Sequence, residues 1–153
     1  SSQNFKVISY TNDYKNWQKR DLIWCKINSI TFFNVHLGWT MDDEVGMNQI
    51  NKIIEEIKRH DERYFIAGDF NYTEGSNEIK HIKKYVYSLA DLANVDYSKN
   101  PTFHNKLDSN ELTDNLMIDY IFTNMLCDVK RFEIVFNKPD AYVSDHSGIF
   151  VEI

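Results

Sequence analysis

Four short stretches concentrate the residues able to do chemistry: Asn34-Val35-His36-Leu37, Gly68-Asp69-Phe70-Asn71, Ile118-Asp119-Tyr120-Ile121 and Ser144-Asp145-His146-Ser147. Each lies at or just after the end of an apolar run, where a sheet delivers polar side chains to a shared crevice. Taken singly, most have a plain structural reading. His36 can be a satisfied core histidine, Asp69 and Asn71 can be turn formers, and Asp145-His146 can be an ordinary loop pair. Asp119 resists this treatment. It stands among Met117, Ile118, Tyr120, Ile121 and Phe122, where an unpaired carboxylate is costly, so a basic or hydrogen-bonding partner is expected. Together the four stretches supply two histidines, three carboxylates and an amide. That is the inventory for metal-assisted hydrolysis of a phosphate ester: carboxylate for a hard cation, imidazole for proton transfer, amide for a developing negative oxygen.

The elements that must position these residues follow from hydrophobic pattern. Strands are predicted at 5–10, 22–27 and 30–37, the last two forming a hairpin that turns at Asn28-Ser29. A helix is predicted over 45–60, because Ile50, Ile53, Ile54 and Ile57 recur at helical spacing. Asp42, Asp43 and Glu44 stand at its start and Lys58, Arg59 and His60 at its end, each sign favoured by the helix dipole. A buried strand at 64–67 leads into a loop at 68–75. Ser76 is a candidate cap for a helix carrying Ile79, Ile82 and Val86, and 88–95 reads as a second helical piece. Residues 11–19 read as a loop and 108–115 as a polar connector. Three further strands are predicted at 117–123, 129–136 and 148–153. Strands mixed with helices at this spacing predict layered α+β structure, with no internal repeat or linker.

Composition narrows the class. The 153 residues are 42% hydrophobic and 14% aromatic, with 5 Gly and 2 Pro, which excludes a disordered or low-complexity chain. Subtracting 23 acidic from 17 basic residues leaves a net charge of −6, which argues against non-specific coating of nucleic acid but not against a metal-dependent enzyme. No apolar run approaches the ~18–20 residues needed to span a bilayer. Ser1-Ser2-Gln3-Asn4 is not a signal peptide; a cytoplasmic location is favoured, and secretion stays open because a leader upstream would already have been removed. Cys25 and Cys127 sit in apolar runs and are expected to be buried free thiols. Asp69-x-Asn71-x-Thr73 mimics the start of a calcium loop but has Glu74 and Lys80 where that loop needs Gly and Glu. No G-x-S-x-G elbow is present, which disfavours a serine hydrolase.

With NVHL, GDFN, IDYIF and SDH in this order, the chain resembles the C-terminal part of an endonuclease/exonuclease/phosphatase domain of the DNase I-like superfamily, from residue 5 to residue 153. The resemblance implies a four-layer α/β sandwich: two packed β-sheets flanked by helices. It implies that His36 contacts the phosphate and acts as general acid, that Asp69 orients or deprotonates water, and that Asn71 donates to the phosphoryl oxygen. Asp119 would pair with His146, fixing its tautomer and raising its pKa. His146 would bind or deprotonate at the phosphate. Asp145 would help hold a divalent metal, Mg²⁺ with Mn²⁺ as substitute. Members of the superfamily also carry an N-terminal half with the principal metal-ligand Glu. The only acids in residues 1–35 are Asp13 and Asp21, and neither has that strand-then-Glu context. The chain also begins and ends directly on strands, and folds of this kind often need ~200–250 residues as one domain. Residues 1–153 are therefore expected to be a single domain incomplete at its N-terminus, which the missing part would complete.

The superfamily cleaves nucleic acids, inositol phosphates, sphingomyelin and sugar phosphates, so the motifs define chemistry before substrate. Trp39 beside the site could stack a sugar or base. The HLGW sequence with acids behind it resembles bacterial members acting on phosphorylated sugars, and Asp42-Asp43-Glu44 would repel a polyanion. Lys80, His81, Lys83 and Lys84 read as a solvated helix face, and there is no Arg/aromatic strip for single strands. A small phosphorylated substrate is favoured. DNA or RNA is the alternative, and a non-catalytic module that kept the fold is the second.

Overall fold

The computed structural model describes residues 5–9, 20–39, 43–104, 116–136 and 144–153. The predicted loop 11–19, Asp13, Asp42 and the connector 108–115 lie outside the described residues. The frame is set by a two-residue hairpin. Asn28 and Ser29 both hold positive φ, 48° and 66°, the backbone that matches the right-handed twist of the strands on either side. They join β2 (Asp21–Ile27) to β3 (Ile30–His36) with Ile27 opposite Ile30 and Ile23 opposite Asn34. On the outer side β1 (Phe5–Ser9) pairs antiparallel with β2.

From β3 the chain crosses through α1 (Asp43–Ile57) to β4 (Arg63–Asp69), which lies parallel to β3. Such a crossover needs an apolar helix face, and the predicted isoleucine stripe supplies it: Ile50, Ile53, Ile54 and Ile57 are all buried. Each such burial contributes roughly 1.5–3 kcal/mol. They pack with Leu22, Phe33, Val35, Ile66 and Phe122 in one core cluster, together with Ile79 and Ile82 of α2 (Asn77–Ile82). Past α2, β5 (Tyr87–Ser88) and α3 (Leu89–Leu92) precede β6 (Asp119–Thr123), which runs antiparallel to β4. The sheet order is β1-β2-β3-β4-β6-β5. A separate antiparallel pair, β7 (Arg131–Val135) and β8 (Gly148–Glu152), forms a small second sheet. The class is the expected mixed α+β. Of the four expected layers, the described residues supply the α1–α2 layer, the large sheet and the small sheet.

Residues 32, 34 and 36 of β3 are exposed while 31, 33 and 35 are buried, so one face of the large sheet belongs to the helices and the other is open. On the open face, a groove of about 380 Å³ runs between Phe32, Phe65 and Ile121 of the large sheet and Ile149, Val151 and Ile153 at the small one. Phe32 is 40% exposed there.

Several boundaries differ from the sequence reading. α1 stops at Ile57, and Lys58, Arg59 and His60 form a tightened turn whose amides bond Ile54, Glu56 and Ile57 carbonyls. Val86 lies beyond α2 but stays buried. The second helical piece ends early because Asn94 turns left-handed, φ 54°, and stops propagation. Ser76 caps α2 as expected, accepting the Ile79 amide at 3.2 Å. Of the basic group on this segment, Lys80 and Lys84 are exposed, but Lys83 is not solvated: it pairs with Asp91 at 3.0 Å and lies over the Tyr97 ring. Cys25 and Cys127 are free but half-buried rather than buried; Cys25 shares the parity of the exposed Ile23 and Ile27 on β2. No helix among the described residues is long and apolar enough to cross a membrane.

Gly68 permits the close approach of β3 and β4. Its φ is 145°, and a Cβ there would run into the Val35 carbonyl oxygen. We expect Gly68→Ala to lower the unfolding free energy by about 3 kcal/mol or more, from backbone strain and steric displacement together. Urea denaturation measures it; a loss below about 1 kcal/mol would mean that the two strands have room to part.

Candidate active site

The strand register aligns the site. His36 ends β3 directly opposite Asp69 at the end of β4, and Asp69 stands opposite Asp119 at the start of β6. Residues directly across a ladder project to the same face, so three polar side chains form a row on the open face, at one end of the apolar groove. His36 Nε2 lies 3.4 Å from Asp69 Oδ2. Residue parity alone places them there: a slip of one residue in β4 would send Asp69 under the helices.

Each residue of the GDFN stretch has a distinct task. Gly68 brings the strands together. Asp69 projects to the site, and its Oδ1 accepts the Asn71 amide at 2.8 Å, which closes a turn that places Asn71 at φ 57°. Phe70 goes the opposite way, fully buried, edge-on to Tyr120 and Phe122. Its amide donates to the Ile118 carbonyl, as that of Leu37 does to Asp69. The side-chain amide of Asn71 donates to the Leu37 carbonyl at 2.8 Å and to Asp69 Oδ2 at 3.3 Å. The turn-forming reading of Asp69 and Asn71 holds, and the Asp69 side chain still stands in the row beside His36.

Asp119 has the partner its surroundings required. His146 Nδ1 donates to Asp119 Oδ2 at 2.8 Å, and His146 Nε2 stands 3.8 Å from Asp69 Oδ2. A carboxylate only accepts, so the Nδ1 proton is assigned. Burial works against charge on His146, but the Asp119 hydrogen bond and the charges of Asp119, Asp69 and Asp145 outweigh it, and its pKa is raised. Asp69 also titrates above the ordinary carboxylate range. Burial is the main cause, the Asn71 amide opposes it, and the neighbouring Asp119 charge adds to it.

A segment that the sequence reading passed over holds these parts in place. The Thr102 hydroxyl accepts the amides of Ile118 and Asp119, both at 3.1 Å, which satisfies the backbone where β6 begins. The Thr102 carbonyl accepts the Ser147 amide and the His104 amide donates to the Asp145 carbonyl. Phe103 bridges to both Leu116 and His146, and its ring lies 5.1 Å from the imidazole. Thr102-Phe103-His104 is too short to stand out as a strand in the sequence, and its polar residues are the buried ones. Arg20, also passed over, places Nη1 3.3 Å from His36 Nδ1.

His36, Asp69, Asn71, Asp119 and His146 thus come together. Asp145 and Trp39 stand apart from that contact set. The Asp145 side chain is exposed and accepts from the Ser144 hydroxyl at 3.2 Å, and Trp39 is 68% exposed. Among the described residues no group of three His, Cys, Asp or Glu side chains could hold a metal ion. The Asp69 oxygens are already committed to Asn71 and face two imidazoles, whereas Mg²⁺ requires a near-octahedral oxygen shell. The described residues alone do not fit that ion.

No family model and no curated protein matches the sequence. Solved structures do match in fold. One is a mannosyl-6-phosphatase of Bacteroides thetaiotaomicron, at 22% identity and TM-score 0.72, covering 97% of this chain and 65% of that one. An endonuclease/exonuclease/phosphatase family protein of the same organism aligns at 20% identity and TM-score 0.74, covering 97% and 63%. The Danio rerio TDP2 complexed with a single-strand DNA product aligns at 16% identity and TM-score 0.72, covering 97% and 66%. The chain has the fold of the endonuclease/exonuclease/phosphatase proteins. It spans about two thirds of the length of these neighbours, 63–66%.

The His146–Asp119 pair makes a pH prediction. A raised imidazole pKa contributes stability that is full below the unfolded value of 6.5 and is lost as pH rises through the folded value. Asp119→Asn should lower the His146 titration midpoint, because burial then acts with less opposition. Imidazole proton shifts followed by NMR against pH measure this; a midpoint unmoved by the substitution would show that Asp119 does not set it.

Proposed function

We propose that this chain is the larger part of a divalent-metal-dependent phosphoesterase, with a small phosphorylated molecule such as a sugar phosphate as the favoured substrate. The observation that carries the reading is the row His36–Asp69–Asp119 with His146 reaching from Asp119 towards Asp69. In this reading Asp69, its carboxylate made more basic by burial, takes a proton from water as the water oxygen attacks phosphorus. The ester P–O bond breaks, and His36 gives a proton to the departing oxygen. His146, its pKa raised by Asp119, meets in its protonated form the negative charge on the phosphoryl oxygens. Asn71 can add a donor there by releasing its longer bond, the 3.3 Å contact to Asp69.

Mg²⁺, or Mn²⁺ in its place, remains the proposed cofactor, with Asp145 contributing. Since the described residues do not complete its shell, the reading assigns the remaining ligands to polypeptide corresponding to the third of the neighbours' length that the alignment leaves uncovered. The same polypeptide would cover the open groove beside the small sheet. Residues 1–153 alone should therefore bind Mg²⁺ weakly and turn over little or no substrate, and Trp fluorescence during a Mg²⁺ or Mn²⁺ titration should not saturate below the millimolar range. Robust phosphatase activity from residues 1–153 would refute this.

The nuclease alternative draws on the TDP2 likeness and on Trp39, exposed where it could stack a base as readily as a sugar. In the complete domain, faster hydrolysis of p-nitrophenyl phosphate than of bis(p-nitrophenyl) phosphate or single-stranded DNA supports the monoester reading, and the reverse order supports the alternative. There Asp69→Asn or His146→Ala should each cost at least ~100-fold in kcat. A loss under about threefold would overturn the assigned roles. A complete domain with neither metal response nor turnover would leave the non-catalytic module.

A further inference from the structure

His146 lies outside the strands; β8 begins only at Gly148. Its place is set by a short bridge to residues 102–104. Phe103 lies across from both Leu116 and His146, so a miniature sheet stands beside the start of β6. Backbone bonds flank the Phe103–His146 pair on both sides: the His104 amide donates to the Asp145 carbonyl at 2.8 Å and the Ser147 amide to the Thr102 carbonyl at 2.7 Å. Bonds of this kind run straight across the two chains and hold them together. A tie that crosses the pair obliquely also resists sliding of one chain along the other. Side chains alternate between faces, so Phe103 and His146 share one face, and Thr102, His104 and Ser147 share the other. On that second face His104 Nε2 lies 2.7 Å from Ser147 Oγ, a diagonal contact in the register that the backbone bonds define. Both residues are buried, 4% and 6% exposed. Neither takes part in the proton transfers proposed for Asp69 and His36.

We propose that His104 and Ser147 are positioning residues for His146: their bond ties the chain diagonally across the Phe103–His146 pair and keeps the imidazole where Nδ1 meets Asp119 at 2.8 Å. The same segment governs the acceptor side. The Thr102 hydroxyl holds the Asp119 amide at 3.1 Å, so donor and acceptor of the His146–Asp119 bond are both referenced to residues 102–104. A slip of about 1 Å between them would carry that bond out of range. A hydroxyl both donates and accepts, so the tie forms with either tautomer of His104. Removing either side chain strips a buried polar group of this partner, which is costly. His104 does all this without touching a reacting atom. The use of a well-placed His146 on a phosphoryl group rests on the phosphoesterase reading; the tie does not.

The test is proton exchange with water, followed by NMR on residues 1–153 at a single pH. His104→Ala should speed exchange of the His146 Nδ1 proton and of the Ser147 amide by ~10-fold or more, because local opening exposes both. The amides of Ile53, Ile54 and Ile66, in α1 and β4, should keep their rates. Ser147→Ala removes the same bond from its other end and should accelerate the Nδ1 proton alike, and the double variant should be no faster than the single ones. His104→Gln, whose side-chain amide carries both a donor and an acceptor, should stay close to the wild-type rate. A Nδ1 proton that exchanges no faster in His104→Ala and Ser147→Ala would overturn the proposal. So would equal acceleration at the α1 and β4 amides, which would make the pair a contributor to general stability alone, or single effects that multiply in the double variant. If His104→Ala does not fold, Ser147→Ala compared with wild type and His104→Gln decides by the same criteria. Exchange reads placement and not turnover, so its failure leaves the phosphoesterase reading standing, and an inactive complete domain leaves the tie standing.

Discussion

The parallel pairing of β3 with β4 is the constraint on which the site rests. The strands approach so closely at Val35 and Gly68 that no side chain fits between them. That approach fixes the register in which His36 lies beside Asp69, and the antiparallel partner β6 then brings Asp119 to the other side. Everything polar at the site hangs on this row. The core beneath it is arranged to hold it still: Phe70 is driven into the aromatic pair Tyr120 and Phe122, which pins the residue between the two site residues of the GDFN stretch. A turn that displays Asp69 and Asn71 is thus anchored by the side chain between them.

Charge at the site is divided unevenly, and the division has a physical source. Burial raises the pKa of Asp69. Asp119 is held against an imidazole whose pKa it and the surrounding carboxylates raise. One acid is thereby suited to take a proton and the other to stabilise a cation, although both are aspartates in the same row. Two imidazoles facing one carboxylate oxygen would be interchangeable by type; their Nδ1 partners, a carboxylate for His146 and a guanidinium for His36, make them different.

The open face of the large sheet gives these parts their setting. The polar row terminates an apolar surface that the two-stranded small sheet covers only in part, leaving the groove between Phe32, Phe65 and Ile149. A two-stranded sheet is marginal without further strands or a packed layer, and exposed aromatic area at the end of a polar row invites cover. The match to about two thirds of the length of structural neighbours accords with both features.

Much of this was legible in the chain before any coordinates. Hydrophobic period located α1 and the long strands, because burial on one face leaves a repeat that local sequence cannot hide. The need of Asp119 for a partner was legible too, since an acid among apolar residues must be paired wherever it lies. Sequence also collected the site residues as four motifs. It could not show that Asp69 serves its turn and the site at once, nor that Lys83 is withdrawn to Asp91 and Tyr97. Thr102 and Arg20 carried no motif, because their roles are set by what they touch: two amides at the start of β6 and one imidazole nitrogen on β3. Residue type and period, which are properties of the chain, determined the elements and the chemical inventory. Distances between residues far apart in the chain, which only strand register and packing create, decided which carboxylate meets an imidazole and which is closed into a turn.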